Sequence, residues 1–195
     1  MRSLIQLQEI KILLASESPR RQNLIKGLDI PYEIVQPPDI EENYPPELDL
    51  FDVPSFLARK KAENYSEHLK PGTILITADT VVLCGNKILN KPGNYDDAFQ
   101  MLNDLSGNRH TVITGVCLKS QIKEHVFSST TEVFFSELSD DEIIYYLDKY
   151  QPFDKAGAYG IQEWIGYVGI DRIEGSFFNV MGLPLHQLYA EIKIF

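Results

Sequence analysis

Short apolar runs of strand length alternate along this chain with segments of helical periodicity, and that alternation restricts it to a few α/β architectures. The run K-I-L-L-A at 11–15 is too short for a helix and stops at Ser16, so it reads as a buried strand. The S-E-S-P-R-R segment that follows supplies a capping serine, Ser18, and a helix-opening proline, Pro19, with Gly27 as the stop. A second strand is predicted over 31–35, followed by a Pro-rich acidic connection at 36–46. Phe56, Leu57, Ala58, Ala62 and Tyr65 share one face of a helix expected from Pro54 to about His68.

Residues 73–77 and 81–84 read as two strands interrupted by Ala78-Asp79-Thr80, with a Gly85-Asn86 turn before 87–89. Asn94 with Asp97 marks a helix start that runs to Gly107, and Ser139 with Glu142 forms a capping-box signature for a helix through Lys149. Two long β-type runs, 110–118 and 124–135, flank a polar turn and predict an extended hairpin. Glycine-punctuated strands are expected over 158–180, then a final helix over 185–192. One pair of strands is a hairpin while others are joined through helices. The expected fold is therefore α/β with a mixed, twisted sheet and flanking helices, its functional groups gathered at strand ends. A chain of 195 residues accommodates this as a single domain, 1–195.

The net charge of −10 and the acidic clusters at 39–42, 47–52 and 140–142 argue against a broad basic surface for nucleic acid or an anionic membrane. A polyphosphate substrate stays open. Physiological salt screens surface charges beyond about 8 Å, so a few local Lys and Arg side chains decide the sign of a pocket. No apolar run approaches the length needed to cross a bilayer, and no signal-peptide pattern opens the chain, so a cytoplasmic protein is expected. Cys84 and Cys117 lie inside apolar strand-like runs and read as reduced core thiols.

Four polar clusters carry candidate chemistry. Ser16, Ser18, Arg20 and Arg21 place hydroxyls, guanidinium groups and free helix amides together, all suited to phosphate oxygens; the plainer alternative is a capped surface helix. Asp79, followed by Thr80, puts an acid beyond an apolar strand where water and a metal could meet it, unless it is an Asx-type turn residue. Lys61 and the Lys91 of N-K-P are further candidates, although single lysines are usually solvated. In D-K-A-G-A-Y-G-I-Q, 154–162, small residues admit close backbone approach and Gln162 offers an amide able to pair with a base edge. The sequence lacks a Walker A motif, zinc spacing among its histidines and a G-x-S-x-G elbow. Oxygen-ligated Mg²⁺ or Mn²⁺ remains open.

In this order, L-L-A-S-E-S-P-R-R, E-E, A-R-K-K-A, A-D-T, N-K-P, L-S-G-N-R-H-T-V-I-T-G-V, D-K-A-G-A-Y-G-I-Q and V-M-G-L-P-L resemble the motifs of the Maf family from about Lys11 to about Leu188. The resemblance implies two lobes around a deep cleft, dependence on a divalent cation, Mg²⁺ or Mn²⁺, and hydrolysis of nucleoside triphosphates to monophosphate and pyrophosphate. It implies that Asp79 is the proton acceptor. Arg20, Thr80 and Gln162 match the positions that mark the branch similar to dTTP/UTP pyrophosphatases, so pyrimidine triphosphates, modified ones included, are the implied substrates. Ser16, Arg20, Arg21, Lys61 and Lys91 fall at phosphate-binding positions, and Glu41 with Asp79 at the metal site. A homodimer is implied by the same likeness, and a nucleotide-binding regulator of septum formation without turnover is the rival reading. Two departures stand out: Glu163-Trp164 follows Gln162 where the family usually has Gly, and Asn90 precedes Lys91 where Gly is common.

Overall fold

The computed structural model describes residues 1–65 and 69–195. Its strands are β1 (Lys11–Ala15), β2 (Tyr32–Val35), β3 (Thr73–Cys84), β4 (Lys87–Leu89), β5 (Arg109–Lys119), β6 (Glu124–Phe135) and β7 (Ile170–Glu174). Its helices are α1 (Leu4–Gln8), α2 (Pro19–Ile25), α3 (Val53–Glu63), α4 (Tyr95–Leu105), α5 (Asp140–Tyr150), α6 (Trp164–Val168), α7 (Phe177–Val180) and α8 (Leu185–Ile194). Among the described residues the strands form one mixed sheet of order β2-β1-β3-β5-β6-β7, with β4 paired to β3. β1 runs parallel to both β2 and β3, whereas β3–β4 and β6–β7 are antiparallel. The mixed α/β architecture expected from the sequence is the one observed.

Two compact units divide the chain. The first holds Met1–Asp79, Thr114–Ser129 and Gly182–Phe195, and the second Thr80–Ile113 and Thr130–Met181. In the first, Ala15, Ala58, Ala62, Leu69, Leu75 and Cys117 form a buried apolar cluster. In the second, the core gathers Val82, Leu89, Leu102, Leu105, Val133, Ile143, Tyr146 and Leu147 among others. β1 lies between two parallel neighbours and buries Ile12, Leu14 and Ala15, which is why K-I-L-L-A is nearly continuous in its apolar character rather than alternating.

Helix starts follow their capping chemistry. The Ser18 hydroxyl accepts from the Arg21 amide with Pro19 at the first turn, Asn94 accepts from Asp97, and Ser139 with Glu142 closes a full capping box on α5. α3 ends at Glu63, and the end expected near His68 lies outside the described residues.

Two expectations are corrected. Asp79 does not interrupt two strands: β3 runs unbroken from Thr73 to Cys84, because the carboxylate is neutralised by a lysine and the chain can stay extended around it. The region 158–180 holds one strand, β7, and the short helices α6 and α7 instead of a series of strands. Its glycines serve close packing: a side chain at Gly166 would collide with the Ile161 carbonyl. α1, capped by Ser3 and Gln6, had no apolar stripe long enough to announce it. Cys84 and Cys117 are free thiols; burial pushes the Cys117 thiol up to about 12, leaving it inert.

Candidate active site

The first unit brings three of the expected residues, Arg21, Lys61 and Asp79, into one constellation, and α3 sets its geometry. The Thr77 hydroxyl of β3 donates to the Ala58 carbonyl of α3 at 2.6 Å. On the other side, α3 rests on β5 where a Cβ at Gly115 would stand 2.3 Å from the Pro54 carbonyl carbon and the Ser55 nitrogen, so only glycine lets the helix approach. Three residues beyond Ala58, Lys61 turns toward the strand. Two residues beyond Thr77, Asp79 lies on the same face of β3 as the anchoring hydroxyl.

The Lys61 ammonium lies 2.7 Å from Asp79 Oδ1 and 2.6 Å from Glu42 Oε1, with side-chain exposures of 14% for Lys61, 12% for Asp79 and 56% for Glu42. Burial raises the Asp79 pKa above the ordinary carboxylate range, and the Glu42 charge adds to this; Lys61 and Arg21 pull the other way. The result is a carboxylate whose charged form burial penalises and a specific cation, Lys61, favours.

Glu42, not Glu41, completes this group. The Glu41 carboxylate instead accepts from the Asn43 amide at 3.0 Å, and its carbonyl accepts from Lys60. Adjacent glutamates in a loop have no periodicity that says which one faces inward, so the sequence could locate the pair and not the member.

Arg21 is engaged with the chain itself. Its Nε donates to the Gly182 carbonyl at 2.7 Å and one terminal nitrogen donates to the Ala78 carbonyl at 2.8 Å. This joins α2 to the residue before Asp79 and gives V-M-G-L-P-L a physical role, the glycine carbonyl being one half of the staple. Burial lowers the pKa of the guanidinium, with Arg20 adding repulsion and Asp79 opposing both. Ser16 is buried; its hydroxyl accepts from the Ser18 amide at 3.2 Å and its carbonyl from Gln22 at 2.9 Å, shaping the turn into α2, on whose first turn Arg20 sits.

Thr80, Lys91 and Gln162 belong to the second unit. Lys91 is exposed between β4 and α4, and the Asn90 carbonyl beside it accepts from the Gly157 amide, tying N-K-P to D-K-A-G. Gln162 Nε2 faces Glu163 Oε1 at 3.5 Å. Glu163 also accepts from the Tyr146 hydroxyl in a short hydrogen bond and pairs with Lys155 at 3.2 Å. This polar network was not anticipated; the only sequence signal was the acid standing where glycine is usual. Trp164 packs edge-on against Tyr145 with ring centroids 4.9 Å apart and joins the core of its unit.

Among the described residues, no cluster of three or more His, Cys, Asp or Glu side chains could form a metal cage. The Glu42 and Asp79 carboxylates both meet the Lys61 ammonium, and their oxygens are the donor type that suits a Mg²⁺-type cation, which takes one or two protein carboxylates and completes its octahedron with phosphate oxygens and water. No described helix is long and apolar enough to cross a membrane.

Comparison with known proteins gives consistent relatives. Residues 11–195 match the family model described as Maf-like protein. A dTTP/UTP pyrophosphatase of Parabacteroides distasonis is 51% identical over 97% of this chain and 98% of its own length. One from Porphyromonas gingivalis is 53% identical over 97% and 96%. Among solved structures, the Ham1 protein of Staphylococcus aureus superposes with a TM-score of 0.53 at 15% identity, over 93% of this chain and 97% of that one. A HAM1 protein from Coxiella burnetii gives 0.52 at 15% identity, over 95% and 100%. These two likenesses speak to the fold alone.

Proposed function

The chain belongs to the Maf family, and from that premise we propose that it is a hydrolase that cleaves dTTP and UTP to the nucleoside monophosphate and pyrophosphate. The observation that carries the chemistry is the buried Asp79 carboxylate held at 2.7 Å from Lys61. A general base benefits from a pKa lifted above the ordinary carboxylate value and from a cation that favours its charged form; burial lifts that of Asp79 and Lys61 opposes the lift.

In this reading Asp79 accepts the proton of the water that attacks the α-phosphorus, and pyrophosphate leaves as the bond to the β-phosphate breaks. Lys61 fixes the carboxylate and stabilises negative charge growing on the phosphates; Arg20 and Lys91 are assigned the same electrostatic role. Arg21 and Ser16 act by shaping the backbone beside Asp79 and at the start of α2. Glu42 and Asp79 are the residues that would hold Mg²⁺ or Mn²⁺, which when bound offsets triphosphate charge and polarises the phosphoryl group. Gln162 and Thr80 read the pyrimidine, and modified pyrimidine triphosphates belong in the same substrate class.

A cytoplasmic homodimer that does not bind nucleic acid or membrane completes the proposal; its net charge of −10 supports the last two points. A regulator of septum formation without turnover is the less favoured reading, since relatives 51% and 53% identical to this chain are named dTTP/UTP pyrophosphatase. Incubation with dTTP or UTP and Mg²⁺ or Mn²⁺ separates the two. Stoichiometric pyrophosphate with monophosphate supports the enzyme, orthophosphate with diphosphate refutes the cleavage site, and no release with nucleotide bound favours the regulator.

A further inference from the structure

Gln162 and Glu163 are neighbours in sequence and face one another through a side-chain contact whose chemistry has only one orientation. Glu163 is an acceptor when ionised, so the amide nitrogen of Gln162 turns toward it, at 3.5 Å, and the amide oxygen turns away. That oxygen, Oε1, is buried and has no hydrogen-bond partner among the described residues. Glu163 is itself immobilised. The Tyr146 hydroxyl donates to it, Lys155 pairs with it at 3.2 Å, and Tyr146 in turn accepts the Gly160 amide at 3.0 Å. Tyr146 is fully buried in α5, so the carboxylate is fixed to the core of its unit rather than to a loop. Gly160 lies beneath the pair: a Cβ there would stand 2.8 Å from both Gln162 Nε2 and the Glu163 carboxyl carbon, so the contact needs a residue without a side chain.

We propose that Glu163 is a positioning residue that locks the Gln162 amide with its oxygen as the atom offered to the nucleobase, selecting bases that present an N–H donor. The imide N3–H of uracil and thymine satisfies that oxygen; cytosine carries a bare N3 acceptor at the same place and leaves two acceptors opposed. An unanchored glutamine rotates its amide by half a turn and accommodates either base, so the anchor and not the glutamine alone supplies the discrimination. The inference deepens the proposed function and rests on its assignment of Gln162 to the base.

The test compares kcat/KM for UTP and CTP in the wild type, Glu163→Gln, Gln162→Ala and the double variant. Glutamine at 163 keeps the size and an oxygen for Tyr146, yet can donate as well as accept, which frees the Gln162 amide to turn. The UTP/CTP preference should fall about tenfold in Glu163→Gln, the scale of one hydrogen bond made or opposed. The same substitution in the Gln162→Ala background should change the ratio no further, because a purely structural role would persist there. An unchanged ratio in Glu163→Gln, or an equal drop in both backgrounds, overturns the proposal. Should Glu163→Gln fail to fold, Glu163→Met is read by the same criteria. If the wild type releases no pyrophosphate from either UTP or dTTP, the proposed function fails by itself, and the ratio is then read from calorimetric binding of UTP and CTP, with the same outcomes deciding.

Discussion

Lys61 Nζ donates to Asp79 Oδ1 at 2.7 Å, joining the inward face of α3 to the middle of β3. Burial penalises the charged carboxylate while the ammonium restores it, so the protonation of Asp79 rests on a balance of two opposing local effects. A surface ion pair would contribute little, but this one is withdrawn from solvent on both sides. The balance has separable consequences for stability, pH dependence and rate.

Replacing Asp79 by Asn removes the base and keeps the shape. Turnover should fall by about 10²–10⁴-fold, the usual contribution of a general base, with nucleotide binding largely retained. Stability should move the other way. The folded-state pKa of Asp79 is raised above its unfolded value, so the folded protein holds this proton more tightly, and stability declines as pH rises through the window above about 3.8. The Asn variant lacks that decline and should melt no lower than the wild type at neutral pH; near-normal kcat would remove Asp79 from the reaction.

Lys61→Met tests the other half of the pair. Without the ammonium, burial acts unopposed on Asp79, its pKa climbs further, and the carboxylate is protonated at a higher pH. The acid limb of the kcat/KM profile should therefore move to higher pH relative to the wild type. A fall in rate with an unmoved acid limb would mean that Lys61 serves phosphate binding alone.

For Arg21, the contacts with Ala78 and Gly182 predict an effect on rate rather than affinity. Arg21→Lys keeps the charge but cannot span two carbonyls with a planar fork. Displacing the strand beside Asp79 should lower kcat by up to about 100-fold, with KM little changed and a reduced melting temperature. If KM rises instead while kcat and stability hold, the guanidinium binds phosphate.

How much of this was legible in the sequence depended on whether local chemistry decided the matter. α2, α4 and α5 were readable because Ser18, Asn94 and Ser139 cap them, and K-I-L-L-A because a strand with two parallel neighbours must be apolar on both faces. The unbroken β3 was not, since an acid inside a buried strand looks like a break until its lysine, 18 residues earlier, is in place. The same limit hid Glu42 behind Glu41, and hid the staple role of Arg21, whose partners are backbone carbonyls 57 and 161 residues away. It also hid Glu163, whose anchor Tyr146 comes from a different helix.

His110 gives a stability prediction independent of the reaction. Its Nε2 lies 2.7 Å from the Tyr159 hydroxyl, its ring packs against Phe135 and Tyr159, and its Nδ1 has no partner among the described residues. Burial lowers its pKa from 6.5 to about 3, so the folded protein keeps the imidazole neutral. The unfolded chain takes up a proton below about pH 6.5 that the folded chain refuses, so stability is complete above that value and is lost as pH falls toward 3. The slope from this residue alone is roughly 1.4 kcal/mol per pH unit. His110→Gln lacks the titration: it should be less stable than the wild type at pH 7, and the gap in urea-unfolding free energy should narrow by about that amount for each pH unit below 6.5. The comparison cancels every other titrating group common to the two proteins. A gap that stays constant from pH 7 to pH 5 would mean that His110 charges without hindrance in the fold.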